Sequence, residues 1–308
     1  MKKQIKLLSI AILSIAIAFT ACKKETSPKN SDSEISTHSD DQTRFSTDVD
    51  AVANDANIAL ESYSSFSGRT DQPQTLICNA SVAIDTVSNP RTITITYNGN
   101  DCFGVNTRTG VVVLSMAQGV HWKDAGAILS VSIQSLHITR ISDNKSITIN
   151  GVQTYTNVSG GLMINLPSLG TITHSLTSSG LFVTFDDNTQ RTWQVAKQRV
   201  FAYNNGVVIT STGTHTDGNN TNIAEWGTNR FGHAFSSATT QPLVVRQDCN
   251  FRLVSGQVTH ITNGVTAVAT FGLDAAGTPT TCPGTGVYYF KIIWTGPNGN
   301  SITVIMPY

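Results

Sequence analysis

From about residue 74 onward, polar and apolar positions alternate with a period of two. Thr92, Thr94 and Thr96 interleave with Ile93, Ile95 and Tyr97, and Leu181, Val183 and Phe185 alternate ahead of the turn-forming run Asp186-Asp187-Asn188. Strand side chains point to opposite faces in turn, so this pattern buries one face and wets the other. Between residues 127 and 139 the apolar phase slips by one, from Leu129, Val131 and Ile133 to Leu136 and Ile138. One extra residue in a strand, a β-bulge, produces such a slip. Asn-Gly recurs at Asn98-Gly99, Asn150-Gly151, Asn205-Gly206, Asn263-Gly264 and Asn298-Gly299. Each reads as a tight hairpin turn, because a type I′ turn needs positive φ at both central residues. No helical window of ten or more residues separates the strands, which argues against βαβ crossovers. The expected fold is all-β over residues 70–308: an antiparallel multi-strand meander of a dozen or more strands, closing as a sandwich or as a curved open sheet.

One stretch breaks this rhythm. Val49, Val52, Ala53, Ala56, Ala59, Leu60 and Tyr63 recur at three- and four-residue intervals, the stripe of an N-terminal amphipathic helix over residues 46–66. Ser46 or Thr47 can serve as N-cap, Asp48 and Asp50 favour the first turn, and Gly68 ends the helix. The stripe predicts docking onto the β body rather than onto a partner. Residues 22–45 ahead of it are polar, charged and nearly devoid of apolar residues, and read as a disordered tether with a solvated His38.

The first residues change where the chain is expected to work. Lys2, Lys3 and Lys6 make a positive start, and the apolar run from Ile5 to Phe19 is too short to cross a bilayer as a helix. Phe19-Thr20-Ala21-Cys22 resembles a bacterial lipobox, with Phe19 standing where Leu is usual. Residues 1–21 therefore read as a lipoprotein signal peptide and Cys22 as the acylated residue, so the membrane is reached through lipid rather than a span. Lys23 after that cysteine is compatible with outer-membrane sorting and leaves the periplasmic and surface faces both open. Removing the three leader lysines leaves 17 basic against 20 acidic residues, a balance that argues against nucleic acid. Charged residues make up 13 % of the chain, with Thr, Ser, Asn and Gly in their place.

Cys78, Cys102, Cys249 and Cys282 remain, an even number with no CxxC pair, so two disulfides are expected rather than zinc. A weak repeat supports local pairing. Cys78-Asn79, Cys102-Phe103-Gly104 and Thr109-Gly110-Val111 return in the same order as Cys249-Asn250, Cys282-Pro283-Gly284 and Thr285-Gly286-Val287. Folding each unit (near 78–117 and 249–295) into a hairpin brings Cys78 to Cys102 and Cys249 to Cys282. Two other connectivities stay open from spacing alone.

The segments ANDANIALES (53–62), NPRTITITYNGNDC (89–102), RTG (108–110), INGVQTYTN (149–157) and RTW (191–193) together resemble a family of uncharacterised Bacteroidota envelope lipoproteins. The resemblance spans most of residues 45–308 and implies an all-β lipoprotein body in the cell envelope. It implies no activity and no site residue.

Catalytic signatures are sparse. The chain has no GxSxG, no HExxH and no phosphate-binding glycine loop, and no two histidines lie at i, i+2 or i, i+4. Asp186 and Asp187 read as a turn rather than a glycosidase pair. His121-Trp122-Lys123-Asp124 reads as a polar hairpin loop with some capacity for ligand contact. Residues 215–233 read as a long loop in which His215, Asp217, Glu225 and Trp226 could meet a ligand or calcium. Asp85-Thr86-Val87 resembles a short O-glycosylation motif of exported proteins. The leading ligand surface is the strand carrying Trp193, Lys197, Arg199, Phe201 and Tyr203, two cations and three aromatics on one face, suited to an anion or a sugar. No cofactor or metal is implied. The expectation is a non-catalytic envelope module for binding, scaffolding or adhesion, with a glycan or envelope protein as partner and an undetermined oligomeric state. The alternatives are a lipid or lipopeptide carrier, which needs a continuous apolar cavity, and a glycan-acting hydrolase, which needs paired carboxylates in one pocket.

Overall fold

Alternation along the chain becomes a single antiparallel sheet in the computed structural model, which describes residues 29–69, 77–102, 104–249, 251–280, 287–296 and 298–307. Helix α1 (Lys29–Ser62) and a short α2 (Ser64–Ser67) come first. Fifteen strands follow: β1 (Ala80–Asp85), β2 (Arg91–Asn100), β3 (Asn106–Met116), β4 (Ala127–Arg140), β5 (Ser146–Asn157), β6 (Thr171–Phe185), β7 (Gln190–Tyr203), β8 (Val207–Gly213), β9 (His215–Asp217), β10 (Asn220–Thr228), β11 (Ala234–Arg246), β12 (Arg252–Thr262), β13 (Val265–Leu273), β14 (Tyr289–Thr295) and β15 (Ser301–Pro307). They form one continuous sheet in near-sequential order, with β10 beside β7, and β8 and β9 off the main path. Of the two expected forms this is the single sheet, not a sandwich.

The sheet must curl around α1. Tyr97 of β2 and Arg108 of β3 both reach Asp55 of the helix, while Ser237 of β11 accepts a hydrogen bond from Gln42. From β2 to β11 the sheet takes seven inter-strand steps. Laid flat these would span roughly 34 Å, against a helix only about 10–12 Å wide with its side chains. Inward side chains from β2 to β7 and from β11 pack with Phe45, Val49, Val52, Ala56 and Leu60 in one core.

Aligned bulges provide the curl. Register shifts fall at Thr109/Val111, Ile133/Leu136, Asn150/Val152 and Thr177/Phe182, one in each neighbouring pair from β3 to β7. The slip read in residues 127–139 is one of this series. Gly110 has φ +117°, and a Cβ there would stand 2.3 Å from the Ser135 carbonyl oxygen; at Gly151 (φ +128°) it would stand 2.5 Å from that of Gly180. These glycines let adjacent backbones close at the bend.

Several expectations need correction. Two of the five Asn-Gly pairs, Asn98-Gly99 and Asn150-Gly151, lie inside β2 and β5 rather than at turns. The other three fall between β7 and β8, β12 and β13, and β14 and β15. The helix begins at Lys29, not residue 46, so the part of the expected tether from 29 to 45 is helical, and His38 and Asp41 on it are buried. The apolar stripe stops at Phe45, but the buried face continues through His38, Asp41 and Arg44, held by charge and ring contacts that a hydrophobic pattern does not register. Gly68 (φ +77°) caps α2 with an N–H donated to the Ser64 carbonyl, while α1 itself stops at Ser62. Residues 215–228 are β9 and β10 rather than a long loop.

The Cys78–Cys102 disulfide is present. Cys249 is also disulfide-bonded and buried. Its expected partner Cys282 lies outside the described residues, as do Cys22 and the leader.

Candidate functional site

Residues 193–203 of β7 alternate as read, with Trp193, Lys197, Arg199 and Phe201 all turned to one face. That face is the inner one, so the expected ligand surface is covered. Trp193 is 0 %, Phe201 6 % and Lys197 8 % exposed, and only Tyr203, at the strand end, stays open at 49 %. Their partners come from α1 and from the strand next door. Glu225 of β10, paired in register with Val195, accepts from Lys197 Nζ at 2.7 Å, from Trp193 Nε1 at 3.2 Å and from the Ser46 hydroxyl of α1. Burial disfavours the Lys197 ammonium, but the charges of Glu225 and Asp50 outweigh it and hold its pKa above the ordinary value. Arg199 pairs with Asp50 of the helix.

The same seam continues in both directions. Arg230 donates to both oxygens of buried Asp41, at 2.7 and 2.8 Å, and to Asp186 at 2.7 Å. Arg140 bridges Asp40 of the helix and Asp143 of its own turn. Arg108 and the Tyr97 hydroxyl meet at Asp55 Oδ2, 2.8 and 2.9 Å away. His233 contacts Glu34 at 2.5 Å. The pattern is a basic and aromatic sheet interior holding an acidic helix. Asp48 is buried in it, and desolvation pushes its carboxyl up to about 7, against the opposing pull of Arg44 and Arg108.

Two histidine environments stand out. His174 of β6 lies edge-on between Trp122 and Phe201, 5.2 and 5.0 Å away, and burial with the nearby Arg199 charge lowers its pKa to about 4. With Asn57, Ser175, Arg199 and Phe201 it lines a cleft of about 20 Å³, room for roughly one water. Nearer the helix N-terminus, His38 meets Trp193, Phe235 and His260. His260 Nδ1 is 2.7 Å from the Ser237 hydroxyl. Burial lowers both pKa values, His38 to about 3 and His260 to about 4.

The remaining sequence candidates have structural partners. Trp122 is buried, with its carbonyl accepting from Asn157 at 2.7 Å, so it anchors the His121–Asp124 loop in the core, while Lys123 and Asp124 stay exposed. Asp186 and Asp187 flank Arg230. His215 stacks on Trp226 at 3.9 Å, and Asp217 lies in β9 opposite Asn220. Asp85 accepts from the Val87 and Ser88 amides in the exposed β1–β2 turn. No group of three or more His, Cys, Asp or Glu side chains is placed to hold a metal among the described residues.

His38, Asp41, Ser237 and His260 were not legible as site residues. Their signal was present but weak: His38, Asp41, Phe45 and Val49 keep helical spacing, and Phe235, Ser237 and Thr239 alternate. Comparison with family models, with curated protein sequences and with solved structures found no match to this chain.

Proposed function

We propose that the chain is a lipid-anchored protein of the cell envelope, attached through Cys22 at the outer membrane, whose curled sheet serves as a non-catalytic binding, scaffold or adhesion module. The observation that carries this reading is the filled interior. A carrier would hold lipid against the inner face of a curled sheet, and here α1 occupies that face with side chains packed on it from β2 to β11. The carboxylates first weighed for general acid–base work, Asp186 and Asp187, are engaged with Arg230 instead. The lipobox-like leader and the resemblance to Bacteroidota envelope lipoproteins supply the address.

A working surface then falls on the outside of the sheet. Register places Thr92, Ser115, Ser130, Thr154 and Thr177 side by side on five adjacent strands. Such a row of hydroxyls, about 4.8 Å apart, suits neutral hydrogen bonding to a glycan or an envelope protein. Two measurements test the reading. Metabolic labelling with an alkyne fatty acid should tag the native chain and not Cys22→Ser, and unchanged labelling would remove the anchor. Protease shaving of intact cells, with a blot before and after lysis, separates a surface body (lost at once) from a periplasmic one (lost only on lysis).

A further inference from the structure

Two register rows run out of the buried interior along the inner face of the sheet. Ser237 pairs with His260, His260 with Ala267, Ala267 with Trp294 and Trp294 with Ile302. Beside that row, Thr239 pairs with Val258, and the line continues through Ala269, Ile292 and Val304. Residues opposite one another on paired strands share a face, so both rows extend the face that α1 covers. The cover stops part-way. Ser237 is 2 % and Thr239 4 % exposed, whereas Ile302 is 64 % exposed and the other residues of the two rows from β13 onward are only half-buried. Among the described residues, the core that holds α1 includes none from β12 to β15. The opposite face of the same strands is more polar, with Thr266, Thr295 and Ser301 in one row and Val268, Ile293 and Thr303 in the next. Alternation has therefore built an apolar face on β13–β15 outside the core that α1 closes.

We propose that this face, carried by Ala267, Ala269, Ile292, Trp294, Ile302 and Val304, docks on the surface of the lipid bilayer that holds the anchor, an inference that rests on acylation at Cys22. The length of the tether favours that partner. Residues 22–28 lie between the acylated position and the start of α1, at most about 25 Å of chain. The helix also enters beside the face. Glu34 accepts from Asn229 Nδ2 at 2.9 Å, and the same amide reaches Thr262 at the end of β12. Trp294 and Ile302 lie at that end of β14 and β15, about three strand widths or 14 Å farther on. A tryptophan among aliphatic side chains suits the headgroup boundary, which takes an apolar ring with one polar N–H. A second copy fits less well. Three strands about seven residues long present roughly 300 Å², so two such faces would bury about 600–700 Å², below the ~1,200 Å² of a stable interface.

The test compares the acylated chain with the chain from residue 22 carrying Cys22→Ser, each mixed with phosphatidylcholine vesicles brominated in the upper acyl chain. Tryptophan fluorescence should be quenched in both, in the unacylated chain at higher lipid concentration, and Trp294→Phe should abolish the quenching. Trp226→Phe, on the outer face of β10 where the ring stacks on His215, should leave it unchanged. Ile302→Ser and Val304→Ser should each weaken vesicle partition of the unacylated chain about 10-fold. The proposal is overturned if the unacylated chain does not bind vesicles or if quenching survives Trp294→Phe. It is overturned equally if the chain sediments as a dimer that Trp294→Ser splits, which would assign the face to a second copy. The anchor and the face fail separately. A chain that takes up no fatty-acid label at Cys22 removes the anchor, while partition of the Cys22→Ser chain still reads the face; a labelled, membrane-bound chain with Trp294 unquenched removes the docked face alone.

Discussion

Arg230 draws its partners from segments far apart in the chain: Asp41 on the helix and Asp186 in the β6–β7 turn. It also lies over the Phe185 ring, 4.6 Å from the centroid. Removing one partner of such a buried pair leaves the other charge without compensation, so Arg230→Ala is expected to cost about 3–5 kcal/mol, read as a fall in the urea midpoint at unchanged m-value. Trp193→Ala should cost about as much, roughly 3–5 kcal/mol, because it both empties the core and takes a donor from Glu225. Tyr203→Ala, at the open end of the same strand, should stay within about 0.5 kcal/mol. Equal losses at Trp193 and Tyr203 would contradict the inward orientation of β7.

Within the elements, α1 is two helices in energetic terms. From Phe45 to Leu60 it buries an apolar stripe; ahead of Phe45 it is held by Asp40, Asp41 and His38 through ion pairs and ring contacts. High salt weakens exposed pairs more than buried ones. Asp40, the more exposed of the two acids, should lose its hold on Arg140 before Asp41 releases Arg230, which helix-resolved hydrogen exchange would detect. The bulges of β3–β6 make a separate prediction. Gly151→Ala drives a methyl toward the Gly180 carbonyl and should cost about 1–3 kcal/mol. Gly119→Ala, with nothing within 4 Å of its added carbon, should cost only its backbone strain, about 1 kcal/mol. Thermal unfolding of the two variants side by side settles whether close backbone approach sets the bend.

Acid should loosen the whole assembly. His38, His174 and His260 have folded pKa values of about 3, 4 and 4, below the unfolded value of about 6.5. Their neutral forms stabilise the fold fully above pH 6.5, and that contribution is lost as pH falls from there toward 4. Asp48 acts in the opposite sense: its folded pKa of about 7 lies above the ordinary carboxyl value of 3.8, so its contribution favours the fold at low pH and is lost as pH rises through 7. Raised values at Asp41 and Glu61 act with Asp48. Three histidines still outweigh Asp48, and unfolding near pH 5.5 should take up roughly one to two protons. Melting temperature should therefore fall between pH 6.5 and 4.5, and a flat or rising profile would contradict the buried, neutral imidazoles.

Much of the architecture was legible because it rests on local rules. Alternation in residues 92–97 and 181–185 marked strands, the slip near Ile133 marked a bulge, and hairpin geometry brought Cys78 to Cys102. The covered face of β7 was not legible. Trp193, Lys197 and Arg199 carry the same two-residue period whether they face solvent or another element, and only the curl of the sheet around α1 decides between them. Nor was the full helix, because His38, Asp41 and Arg44 are polar and become interior only once Trp193, Arg230 and Lys145 are brought beside them. Periodicity reports which residues share a face. Whether that face is wet depends on contacts such as Asp41–Arg230, 189 positions apart, and those are set by tertiary closure alone.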